Sequence, residues 1–222
     1  MVFFRVAVAT VILSLCIVVD KEYRYALNTS SVSYKATQAV KPYSGHGIQD
    51  NEVAKKTDNL PTDAQTQFNK GLAYAKGDGV TQNYFEAAYW YRMAAEQGLE
   101  NAQNNLGVFY YEGRGVTKNY VEAAKWYRMA AEQGDASAQN NLGLLYEQGL
   151  GIPKNYDEAA KWYRMAAEQG YADAQYNLGL MYGRGEGVTR DYDESVKWFS
   201  MASNQGHEKA KAILNRAYSN PQ

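Results

Sequence analysis

Four asparagines stand 36 residues apart, at Asn69, Asn105, Asn141 and Asn177. A carboxamide donates and accepts hydrogen bonds at once, so a row of them suits the main chain of an extended peptide or the hydroxyls of a sugar. Each amide could equally tie down an inter-helix loop of its own unit, and both uses stay open at this level. Catalytic chemistry has fewer candidates. His46 and His207 lie in unrelated sequence contexts and suggest no dyad, and Cys16, the only cysteine, sits in an amino-terminal apolar run. Thiolate metal sites and cysteine catalysis are thereby excluded from the remainder. The glycine pairs Gly77/Gly79, Gly113/Gly115 and Gly185/Gly187 have no strand pattern before them and no Lys-Ser/Thr after, which argues against a phosphate loop. Asp78 and Glu186 beside them give one carboxylate per loop, too little for a cation site. The expectation is a binding protein rather than an enzyme, with no cofactor and no metal.

The elements that would position these residues follow from one period. Ala102 to Ser137 reappears almost residue for residue as Ala138 to Asp173, flanked in register by Thr66 to Asn101 and Ala174 to Lys209. Ala210, Leu214 and Tyr218 continue the phase of Ala174, Leu178 and Tyr182. A fixed period of this length is the signature of a stacked-repeat solenoid, here units 66–101, 102–137, 138–173 and 174–209 with a closing helix over 210–218.

Within a unit the pattern predicts two helices. Ala102, Leu106 and Tyr110 line one helical stripe, and Gly113 and Gly115 stop it. Asn119 then acts as an N-cap with Glu122 three residues on, a capping box in which the glutamate reaches back to the cap. The device recurs at Asn83/Glu86, Asn155/Glu158 and Asp191/Glu194. Ala123, Trp126, Tyr127 and Ala130 stripe the second helix, which ends before Gly134. Helices of 11 to 15 residues are marginal alone in water, so they must bury these stripes against each other and the next unit. Trp90, Trp126, Trp162 and Trp198 are the largest recurring part of that seam, and Gly71, Gly107, Gly143 and Gly179 mark where helices approach closely. The first unit has Lys70 where its neighbours have leucine, which predicts an end face open to water.

The motif A-x-x-x-L-G-x-x-Y-x-x-G-x-G-V, then Asn or Asp, then E-A-x-K-W-Y-x-x-A-A-x-Q-G resembles the Sel1-like repeats, 36-residue relatives of the tetratricopeptide repeats. The second unit matches from Ala102 through Gly134, and four tandem copies cover about two-thirds of the chain. The resemblance implies an all-α, right-handed superhelical solenoid of antiparallel helix pairs, used as a non-enzymatic adaptor. Departures are Thr66, Lys70, Phe199 and Ser200, all in the outermost units. Some secreted relatives carry paired cysteines in each repeat, and their disulfide bracing does not transfer to this chain.

In tetratricopeptide relatives the first helix of each pair lines the concave groove. Carried over, that orientation points inward Phe68, Leu72 and Lys76, then Asn104, Val108, Tyr111 and Glu112, then Asn140, Leu144, Glu147 and Gln148, and last Tyr176, Leu180 and Arg184. These columns change from unit to unit beside a constant stripe. Such variation fits a specific surface as well as unconstrained solvent positions. Together with Asn69, Asn105, Asn141 and Asn177, they form the candidate site for a protein or peptide segment. A cell-envelope carbohydrate stacked on Tyr111 and Tyr176 is the alternative, and a hydrolase grafted on the solenoid lacks an acid/base pair.

The amino terminus adds localisation. In this 222-residue chain of net charge −1, Met1 to Val19 is apolar apart from Arg5, Thr10 and Ser14, an export pattern. A cleaved signal, a retained anchor with Arg5 snorkelling, and a lipidated Cys16 compete, against a buried core helix as the plain alternative. Asp20 to Asp63 is polar, contains Pro42 and Pro61, and reads as a tether. The repeats are near neutral, which argues against a nucleic-acid platform. The chain is therefore expected to be exported, meeting membrane only through its first residues.

Overall fold

The computed structural model describes residues 61–219. The expected leader and most of the expected tether, with Cys16 and His46, lie outside them. The described residues form helices only: α1 (Ala64–Lys76), α2 (Tyr84–Glu96), α3 (Glu100–Glu112), α4 (Tyr120–Glu132), α5 (Ala136–Gln148), α6 (Tyr156–Glu168), α7 (Ala172–Arg184), α8 (Tyr192–Asn204) and α9 (Glu208–Ser219). Each packs against the next in sequence, so α1/α2, α3/α4, α5/α6 and α7/α8 are stacked hairpins closed by α9. The architecture is the helical-repeat solenoid that the period implies. No described helix is long and apolar enough to cross a membrane.

Local signals set the helix ends. Asn119 accepts from the backbone N–H of Val121 and Glu122, and Asn83, Asn155 and Asp191 cap α2, α6 and α8 likewise. The capping box is incomplete, however. The Asn119 N–H, which Glu122 was expected to accept, instead donates to the Tyr110 carbonyl at 2.9 Å, and Asn83, Asn155 and Asp191 repeat this with Tyr74, Tyr146 and Tyr182. The carbonyl is one that the end of the preceding helix leaves without an intrahelical donor, so the bond closes the hairpin at no cost to either helix. Gly113 ends α3 in the left-handed region at φ 78°. Gly115, also left-handed, lies so close to the Tyr84 carbonyl of the preceding unit that a Cβ there would stand 2.0 Å from its oxygen. Gly151 and Gly187 meet Tyr120 and Tyr156 in the same way.

The four tryptophans are 4–8% exposed. At ~25 cal/mol per Å² and ~200 Å² each, one indole contributes roughly 5 kcal/mol of transfer free energy, more than an isolated hairpin could capture. The helical glycines do mark close approach, and the neighbour is an aromatic ring: Tyr91 lies on Gly71, Tyr127 on Gly107, Tyr163 on Gly143 and Phe199 on Gly179.

The ends depart from expectation in two places. Lys70 does not simply face water; its ammonium sits 4.0 Å above the Trp90 ring and covers it. In α9 the buried residues are Ala210, Ile213 and Ala217, while Leu214 is half-buried and Tyr218 exposed. A closing helix packs chiefly on α8 and has no second helix of its own, so its apolar stripe turns toward the single neighbour.

Candidate functional site

The first helices α1, α3, α5 and α7 carry every candidate residue, and their side chains fall into three groups. The amides come first. Asn141 donates to Asn104 at 3.1 Å and Asn177 to Asn140 at 3.0 Å, each across to the preceding unit. Asn104 also donates to Ser137. Asn105 pairs with the Tyr91 hydroxyl, and Asn69, at the exposed end, accepts from Gln65. The asparagine column therefore does not fasten loops of its own repeats. Asn141 and Asn177 bond from unit to unit because residues one repeat and one position apart lie side by side on neighbouring first helices.

The second group is buried. Asn104, Asn140, Tyr176 and Leu180 are at most 9% exposed. Tyr176 stacks on His207 at 4.6 Å between ring centres, and His207 accepts from the Ala210 N–H and lies 3.3 Å from the Asp173 carboxylate. Its ring is thus already covered by the segment that starts α9.

The third group remains reachable. Phe68, Leu72, Val108 and Tyr111 are half-buried against the core, Leu144 is half-buried, and Lys76 and Glu112 are exposed. Glu112 pairs with Arg114. Glu147 accepts from the Tyr163 hydroxyl at 2.7 Å and lies 3.7 Å from Arg184, which also faces Glu186 at 3.5 Å. Burial pushes the Glu147 carboxyl above its ordinary value, against the pull of Tyr163 and Arg184. No group of three or more His, Cys, Asp or Glu among the described residues is arranged to hold a metal. The assembled chemistry is that of recognition: a broken apolar row edged by charged and hydroxyl groups.

Sequence reasoning passed over two recurring polar columns. Gln133, Gln169 and Gln205 donate to Gln103, Gln139 and Gln175 at 2.7–2.8 Å, and those three donate in turn to the carbonyls of Ala95, Ala131 and Ala167 in the preceding unit. Gln97 and Gln67 begin the series. On the opposite side Arg92, Arg128 and Arg164 donate to the hydroxyls of Tyr110, Tyr146 and Tyr182. The glutamine columns are invariant in the four units, while the arginine gives way to Ser200 in the fourth, and a polar residue that never changes within an apolar stripe was the available signal.

Comparison with known proteins agrees with this geometry. The family model described as Sel1 repeat matches residues 64–99, 101–135, 136–171 and 172–207. A Sel1 repeat protein from Oxalobacter formigenes is similar over 76% of this chain and 68% of its own, with 42% identity and a TM-score of 0.69. A protective antigen of uropathogenic Escherichia coli strains, displaying an SLR fold, is 41% identical over 72% of this chain with a TM-score of 0.65. The match spans only 33% of that antigen's length. No curated protein matches the chain.

Proposed function

Because the chain belongs to the Sel1 repeat family, whose members are in general non-enzymatic scaffolds for protein–protein interaction, we propose that it is an adaptor holding a partner segment along its first helices. The observation that carries this reading is the row Phe68, Leu72, Val108, Tyr111 and Leu144. These apolar side chains are half-buried: Leu72, Val108 and Leu144 form a near-constant apolar column, the flanking positions of Phe68 and Tyr111 change from unit to unit, and all stand on a skeleton that repeats. An apolar strip with polar edges suits a protein segment, which offers side chains to the strip and amides to the edges. A glycan finds less: Tyr176 is stacked on His207 and the asparagine amides bond to one another or to tyrosine. The apolar run Met1 to Val19 supports placement outside the cytoplasm, free or held at a membrane.

The test is crosslinking in the native cell with mass spectrometry of the partners, for the wild type and for Val108→Asp/Leu144→Asp. The double variant is expected to keep its helicity and lose its crosslinked partners. Unchanged partners would move the binding surface off the first helices. The first peptide recovered from the protein shows whether Met1 to Val19 remains attached.

A further inference from the structure

The junction between the fourth unit and α9 is built unlike the inner ones. Between units, arginine reaches tyrosine and a buried glutamine reaches a carbonyl, and at two of the three junctions asparagine also reaches asparagine. None of these links continues into α9. Ser200 stands at the arginine position and turns back to the Val196 carbonyl at 2.7 Å, and Tyr218 is exposed. Lys211 stands at the glutamine position and is exposed too. Tyr176 and Ile213 take the places of the paired asparagines. In their stead His207 holds the start of the helix. Its Nδ1 accepts from the Ala210 N–H at 3.2 Å, as Asp135 caps α5, while Nε2 lies 3.3 Å from Asp173 and the ring stacks on Tyr176. Beyond it α9 buries only Ala210, Ile213 and Ala217, in one apolar cluster with Tyr176, Leu180, Phe199 and Ala202.

We propose that α9 is an exchangeable cover: it lifts off as a unit while the four hairpins stay stacked, and a helix of the partner takes its place on Tyr176, Leu180 and Phe199. A helix of 12 residues is marginal without its packing, and two of the three side chains that α9 buries are alanines, so its local opening lies below the unfolding of the array. The seated helix shows the chemistry of the occupant: small, branched and small side chains at i, i+3 and i+7 of an amphipathic helix, as Ala210, Ile213 and Ala217 are. Leu180 continues the column of Leu72, Val108 and Leu144, so removal of the cover carries the reachable row into the fourth unit. This assignment rests on the adaptor reading above and makes the last part of its surface conditional on α9.

Native-state hydrogen exchange, read by mass spectrometry on the full-length chain, follows the opening of α9 in the wild type, in Ser200→Arg/Lys211→Gln, which restores two of the inner links, and in His207→Ala. A phage-displayed library of random dodecapeptides is panned against the full-length chain, and enriched peptides are titrated by fluorescence anisotropy against the same three proteins and Val108→Asp. The amides of α9 should exchange at least about 10-fold faster than those of α7 and α8. Two added hydrogen bonds predict opening about 10-fold rarer in the double variant, and loss of a cap about 5-fold more frequent opening in His207→Ala. A ligand that binds only the open form follows that population, so peptide affinity should fall and rise by the same factors. Exchange of α9 in step with α7 and α8 overturns the cover. Equal affinity for the wild type and the double variant, with binding lost in Val108→Asp, overturns it as well and leaves the adaptor reading standing. Absence of any enriched peptide overturns both.

Discussion

The two sides of the array obey different rules. Where second helices meet the following unit, three links repeat at every inner junction: arginine to tyrosine, glutamine to glutamine to carbonyl, and loop glycine to backbone. On the first-helix side no such link repeats at every junction, and the threaded hydroxyls of Tyr91 and Tyr163 find an amide in one case and a carboxylate in the other. Stacking needs identical junctions, so selection for stability keeps one side constant and leaves the other able to vary. If that division holds, changes on the repeating side should cost stability according to the contact removed and little recognition.

The largest effect should come from a glycine. Gly115 and Gly79 share a left-handed backbone, at φ 64° and 68°. A Cβ at Gly115 would strike the Tyr84 carbonyl, while one at Gly79 meets nothing among the described residues. Gly115→Ala should therefore destabilise by at least about 3 kcal/mol, conformational cost plus displaced backbone, and Gly79→Ala by about 1 kcal/mol. Urea unfolding of both variants checks this. Equal losses would mean that the glycine answers only to its backbone angle and that the junction is looser than the contacts indicate.

Next comes the buried glutamine. Gln139→Ala removes the acceptor of Gln169 and the donor to Ala131 and leaves a cavity in the seam. A loss of about 2–4 kcal/mol is expected. Because each unit touches only its neighbours, the transition should also broaden as the third unit uncouples. A sharp transition with unchanged midpoint would remove glutamine from the list of structural links.

These two residues show what a linear reading can and cannot find. The hairpins were legible because their determinants are local: Asn119 caps the helix that begins one residue later, Gly113 ends the helix just before it, and Trp126 sets an apolar stripe. Gln139 escaped because periodic reading counts apolar positions, and a buried amide looks there like a solvent residue. The Asn104–Asn141 bond escaped for another reason. Its partner lies a repeat and one residue away, and the alternative choice of Asn105 depends on Phe68 having replaced an acceptor. For the candidate face, the column of varying positions could be drawn from the sequence. Which members lie buried, as Asn140 and Tyr176 do, is decided by neighbours in the adjacent unit and in α9.

A smaller effect belongs to the arginine link. Arg164 donates to the Tyr182 hydroxyl at 2.8 Å in an exposed position, so Arg164→Ala should cost no more than about 1 kcal/mol in thermal unfolding. Arg128→Ala, with the same geometry to Tyr146, should match it within error. Unequal losses at these two junctions would break the claim that the second-helix side is a repeated set of equivalent links.

At neutral pH the smallest change is expected on the varying side, at Glu147, and it alone should depend on pH. Burial raises this carboxyl above its unfolded value, with Tyr163 and Arg184 opposing. A carboxyl raised on folding binds its proton more tightly in the native state. Its contribution to stability is complete below the unfolded value, near pH 4.5, and is lost as pH climbs through the folded value. Glu147→Gln imitates the protonated form at every pH and keeps a carbonyl for the Tyr163 hydroxyl. The Tm of the variant minus that of the wild type should therefore become more positive between pH 4.5 and 7.5, while other titrating groups cancel in the difference. A difference drifting the opposite way would mean that the Arg184 ion pair outweighs desolvation. Glu147 would then act as a fixed strut between the third and fourth units, as constant in purpose as the glutamines behind it, and the contrast between the two faces would end at the third unit.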